Sequence, residues 1–104
     1  MIVYELRHEI YSWEESSTDV YTLLFETEED AIEYLSIKKV NIIDEYCNHL
    51  DLPSSIDALH QYMENDDESY YNDFADEENY FHVELDEFGF DTLCIEKKEV
   101  LKFK

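Results

Sequence analysis

Between Lys39 and Lys97 the chain has no lysine and no arginine, although those 57 residues carry 17 Asp and Glu. Glycine and proline are almost missing too, with one of each at Gly89 and Pro53. Loops that cradle phosphates and nucleophile elbows both need several glycines, so the common nucleotide-binding enzymes and elbow hydrolases are excluded. Two cysteines, Cys47 and Cys94, are too few for a disulfide framework. Set within apolar patterns, they read as buried free thiols in a reducing cytoplasm. No apolar run approaches the ~18 positions of a membrane span. Met1 to His8 lacks a basic region followed by an apolar one, so a soluble, cytoplasmic, non-exported protein is expected.

What is present is acid and aromatic. The 104 residues hold 28 Asp and Glu against 7 Lys and Arg, a formal charge of −21. Disordered chains share such charge but are poor in aromatics. This one has nine Tyr and six Phe and is 44% hydrophobic, enough for a core. The length fits one domain, residues 1–104.

Ile2, Tyr4, Leu6, His8 and Ile10 alternate with Val3, Glu5, Arg7 and Glu9, the period of a strand. After the polar turn Ser12–Thr18, residues Asp19–Phe25 supply its hairpin partner. Thr27 before Glu28, Glu29 and Asp30 is a helix cap with acids at the positive dipole end. The apolar stripe from Ala31 to Leu50 predicts one long helix, or two with a kink at Lys38-Lys39. Pro53 and Ser54, three residues before Asp57, predict a second, short helix over Ile56–Met63. Glu64–Glu78 reads as an acidic, partly ordered segment anchored by Tyr70, Tyr71 and Phe74. Tyr80–Leu85, a turn at Asp86–Gly89, Phe90–Glu96 and Val100–Phe103 supply the last strands. The expected fold is α+β: an antiparallel sheet of the N-terminal hairpin and C-terminal strands, with two or three helices between them packed on one face.

The charge is distributed as unevenly as its total suggests. The first 39 residues hold ten acids and three bases, and the last eight hold one acid and four bases. Self-repulsion destabilises the compact state, so a field this one-sided points to a positive partner. A globule of this length is about 33 Å across, which would place one net charge per roughly 1.6 Å, close to the ~1.7 Å of duplex DNA. Direct nucleic-acid binding is not expected, because no basic patch exists.

Catalytic and metal-binding patterns are weak. Asp66, Asp67 and Glu68 with Asp73, Asp76, Glu77 and Glu78 lack the spacing and central glycine of a calcium loop. Cys47 and His49 lie two apart on a helix and diverge, so a zinc site is not expected. His8 reads as a satisfied or rim histidine. No nucleophile constellation stands out, so neither an enzyme nor a cofactor is expected. Tyr70, Tyr71 and Phe74 are either interface anchors or docking residues for their segment, and Trp13 either caps the sheet edge or is an exposed contact.

In size, charge and cation-free interval the chain resembles the small acidic DNA-mimic inhibitors of bacteriophages, of anti-CRISPR and anti-restriction type. Val3-Tyr4-Glu5-Leu6-Arg7-His8-Glu9 and Phe25-Glu26-Thr27-Glu28-Glu29-Asp30-Ala31-Ile32-Glu33-Tyr34-Leu35 are similar to a hairpin-then-helix pattern in small phage and Firmicute proteins. The resemblance implies a stoichiometric inhibitor that blocks the DNA- or PAM-binding groove of a host defence nuclease, a CRISPR effector or a restriction enzyme. The expected binding face comprises Asp66, Asp67, Glu68, Asp73, Asp76, Glu77, Glu78, Asp86 and Glu87, with Tyr70 and Tyr71 packing. Two alternatives remain open: an immunity protein or antitoxin for one basic nuclease toxin, and an acidic interaction module that mimics nothing.

Overall fold

The computed structural model describes residues 1–65, 72–85 and 88–100. Among them the chain forms β1 (Ile2–Ser12), β2 (Ser17–Phe25), α1 (Glu28–His49), α2 (Ile56–Asn65), β3 (Asp73–Glu77), β4 (Tyr80–Leu85) and β5 (Gly89–Glu99). The strands make one antiparallel sheet in the order β2-β1-β5-β4-β3. The architecture is thus α+β, five strands and two helices. Strand β5 closes the sheet by pairing along all of β1, from Ile2↔Glu99 to Ser12↔Gly89.

Period-two patterning decides which face is covered. In β4, Phe81, Val83 and Leu85 are buried while Tyr80, His82 and Glu84 are not. In β5 the buried set is Gly89, Asp91, Leu93 and Ile95. Leu6 of β1 joins them, and Ala31, Leu35, Ile42, Ile43, Tyr46 and Cys47 of α1 with Leu59 and Met63 of α2 complete the core. The opposite sheet face carries no helix among the described residues. A two-layer slab with strands of 11 residues, each about 36 Å long, is therefore flat and extended. Its extents are 56 × 27 × 19 Å, longer than the 33 Å globule expected from length. The 21 net charges run at about one per 2.7 Å of the long axis, sparser than duplex DNA.

Helix α1 starts where expected: Thr27 Oγ1 accepts the Asp30 N–H at 3.2 Å. It continues unbroken through Lys38-Lys39. Lys39 leaves the apolar stripe to pair with Asp76 at 3.0 Å, and the Lys38 ammonium lies over the Tyr34 ring at 5.8 Å. The chain then turns at Asp51, in the left-handed region with φ 56°, a conformation that Asp tolerates. The cap of α2 lies one residue later than the sequence suggests. Ser55 Oγ accepts the Ala58 N–H at 3.4 Å, while the Ser54 hydroxyl donates to the Asp44 carboxylate of α1.

The acidic segment 64–78 departs most from expectation. Helix α2 extends to Asn65, and Asp73–Glu77 pairs with β4 as an edge strand, Phe74 opposite Val83. Only one large apolar residue in five marks this strand. Phe74 holds it down, edge-on to Phe81 at 5.8 Å and against the His60 ring at 5.1 Å. Strand β5 runs to Glu99, and residues 101–103, read as strand material with Val100, lie outside the described residues. No helix among the described residues is long and apolar enough to cross a membrane.

Gly89 is the one glycine and the geometry demands it. Its φ is +127°, and a Cβ there would collide with the Tyr11 carbonyl on β1. Gly89→Ala is expected to destabilise the fold by more than about 2 kcal/mol through backbone strain and loss of close strand contact. The check is a lowered urea midpoint at unchanged slope.

Candidate functional site

Of the acids expected at a binding face, Asp73, Asp76 and Glu77 lie on edge strand β3 and Glu78 follows in the turn to β4. Asp66, Asp67, Glu68, Tyr70, Tyr71, Asp86 and Glu87 lie outside the described residues. The register separates the β3 acids by face. Asp73 and Glu77 stand opposite Glu84 and Tyr80 on the open face, whereas Asp76 stands opposite Phe81 on the helix face and binds Lys39. His82 joins the open-face acids, its Nε2 at 3.4 Å from Glu84 and 3.7 Å from Asp73, with Nδ1 at 2.7 Å from Thr92 Oγ1. Beside it an aromatic row crosses the same face: Phe90 stacks on Tyr11 at 5.5 Å, and Trp13 meets Tyr11 edge-on at 5.1 Å. Trp13 thus packs on the sheet yet stays 44% exposed.

Charge neutralisation is sparse. Among the described residues three carboxylates are paired with Lys or Arg: Glu5 with Lys98, Glu9 with Arg7, and Asp76 with Lys39. The others that have a cationic partner have only a histidine.

The helix side holds an arrangement that sequence reading missed. Asp91, 5% exposed, is the buried carboxylate of the described residues. One of its oxygens accepts from the Tyr46 hydroxyl at 2.9 Å, and the other meets His8 Nε2 at 2.8 Å. This chain of contacts ties α1 to β5 and β1. A carboxylate only accepts, so Nε2 of His8 is the donor in its contact with Asp91. No buried side-chain nitrogen or oxygen among the described residues lacks a partner. His8 and Asp91 line a cleft of about 630 Å³ with Tyr21, Lys38, Glu45 and Phe88. His8 is therefore satisfied, as its place on the apolar face suggested, but it also fronts a cleft. The signal available in sequence was an Asp in alternation with the apolar Leu93 and Ile95.

The remaining candidates resolve simply. Cys47 is buried and its thiol donates to the Ser55 carbonyl at 3.5 Å. Cys94 is half-buried on the open face, where burial and then Glu96 raise its thiol pKa. No cluster of His, Cys, Asp or Glu among the described residues could hold a metal ion. No family model, curated protein or solved structure matches the chain.

Burial first, and then the Asp91 charge, push the Tyr46 hydroxyl far above its ordinary value. In the unfolded chain that phenol ionises near pH 10. Above that pH the unfolded state therefore binds fewer protons than the fold, and stability falls as pH rises. Tyr46→Phe is expected to lower stability at neutral pH by about 1–3 kcal/mol, since one Asp91 oxygen loses its donor. It should also flatten the alkaline fall. Urea titrations of both proteins from pH 7 to 11 check both effects.

Proposed function

We propose that this protein is a non-enzymatic, stoichiometric inhibitor that occupies the nucleic-acid-binding groove of a basic host defence nuclease, a CRISPR effector before a restriction enzyme. The observation that carries this reading is the unneutralised acid: a 57-residue interval without a cation, in which, among the described residues, only Asp76 pairs with a Lys or Arg. Arginines that hold phosphates would instead find carboxylates, and charge-assisted pairing with release of bound counterions would drive association.

The open-face end of β3 and β4 suits that role, with Asp73, Glu77 and Glu84 on adjacent strands and Glu78 in the connecting turn. The neighbouring rings of Phe90, Tyr11 and Trp13 can receive a guanidinium by stacking. The wider spacing of charge than in DNA supports local imitation of a few phosphates at this edge better than imitation of a continuous duplex.

Two measurements test the reading. A pull-down with the tagged chain from a lysate expressing candidate defence nucleases, washed through a salt series, should retain a nucleic-acid-binding protein that excess duplex DNA displaces. The combined variant Asp73→Lys, Glu77→Lys and Glu78→Lys, which moves the formal charge from −21 to −15, should weaken that binding at least about 100-fold. Its thermal midpoint should stay near that of the parent, because all three residues are exposed. Undiminished inhibition by this variant would remove β3 from the binding face. A partner that DNA cannot displace would favour a dedicated immunity protein.

A further inference from the structure

The two edges of the sheet are built in opposite ways. Strand β3 is short and bears Asp73, Asp76 and Glu77, the usual protection of an edge against pairing with another chain. Strand β2 has nine residues with one charge, Asp19, in a chain that is 34% charged. It pairs with β1 in an unbroken register from Tyr4↔Phe25 to Ser12↔Ser17, without Pro, Lys or a bulge. Among the described residues no strand neighbours its outer backbone groups. Val20, Tyr21, Leu23 and Leu24 are 46%, 58%, 44% and 63% exposed.

We infer that β2 is the contact between two copies of this chain, paired antiparallel about a two-fold axis at Thr22. The register follows from the residues. Centred on Thr22, Val20 stands opposite Leu24 of the second copy on the open face, and Tyr21 opposite Leu23 on the helix face. Thr22 meets Thr22, a favourable cross-strand pair. All four exposed apolar side chains then face one another. Centring on Tyr21 instead sets Asp19 against Leu23, and centring on Leu23 sets Val20 against Glu26. In the Thr22 register Asp19 and Glu26 fall opposite Phe25 and Thr18, so no carboxylate faces a carboxylate.

Area and charge set the strength of the contact. Four half-exposed side chains remove roughly 400 Å² per copy, about half of a standard stable interface. The dimer is therefore reversible and concentration-dependent. Two copies of charge −21 repel beyond the strand, and salt screens that repulsion within about 8–10 Å. Self-association consequently strengthens with salt, the opposite of binding to a basic nuclease. The contact stands whether or not the inhibitor reading does.

Sedimentation velocity of the full chain over a concentration series tests it. The expected result is a monomer–dimer equilibrium whose dissociation constant falls at least about fivefold between 50 and 500 mM NaCl. Leu24→Lys should be monomeric at both salts with an unchanged circular dichroism spectrum. In a Cys94→Ser background, Thr22→Cys should cross-link to a disulfide dimer under mild oxidant while Thr18→Cys does not. A monomer mass at every concentration and salt would overturn the proposal, as would equal cross-linking of the two cysteine variants. Dimer retained by Leu24→Lys would place the contact on another surface.

Discussion

Repulsion among 28 carboxylates with 7 cations to offset them is the constraint under which every other part of this fold is arranged. A compact chain with this excess survives only if acids stay in high dielectric and the apolar core is continuous. The structure meets both conditions. The core is a single cluster from Leu6 and Ile95 across Phe81, Val83 and Leu93 to α1 and α2. One carboxylate of the described residues enters it, Asp91, and both of its oxygens are hydrogen-bonded. The few cations are used locally. Lys39 ties edge strand β3 to α1, and Lys98 relieves Glu5, which the register sets directly against Glu96.

The same constraint leaves the molecule two-sided. Helices cover one sheet face, while the other carries acids around the row of Trp13, Tyr11 and Phe90. An aromatic row beside carboxylates combines apolar area with acceptors, and guanidinium groups match that combination better than ammonium groups do. The cleft fronted by His8 lies on the opposite side, between α1 and the hairpin. There the Tyr46–Asp91–His8 chain of hydrogen bonds joins α1 to β5 and β1. The two edges complete the asymmetry, one guarded by carboxylates and the other apolar.

Legibility in the sequence followed signal strength. Strands β1 and β4 and the start of α1 were readable because each has a clean period or cap: alternation through Leu6 and His8, strict alternation from Phe81 to Leu85, Thr27 before three acids. Strand β3 was not readable. Five residues with one phenylalanine carry no period, and the edge position permits Asp and Glu on both faces. The α2 cap slipped from Ser54 to Ser55 because the Asp44 carboxylate, ten residues away in sequence, takes the Ser54 hydroxyl. Of the residues expected at the binding face, Asp73, Asp76 and Glu77 lie on β3, and their division between two faces follows from pairing with β4. The His8–Asp91 contact spans 83 residues, beyond the reach of any local pattern.

By itself, then, the amino-acid sequence determined the class of fold, the excess of negative charge and the interval that lacks cations, because composition and short-range periodicity are properties of neighbouring residues. Tertiary structure alone decided the strand order β2-β1-β5-β4-β3, and with it which edge is charged and which is apolar. It also decided, among the described residues, which carboxylates are neutralised and that Asp91 is buried. These depend on contacts between residues far apart in the chain, and such contacts are chosen by how the buried faces of β1, β4, β5 and α1 close on one another.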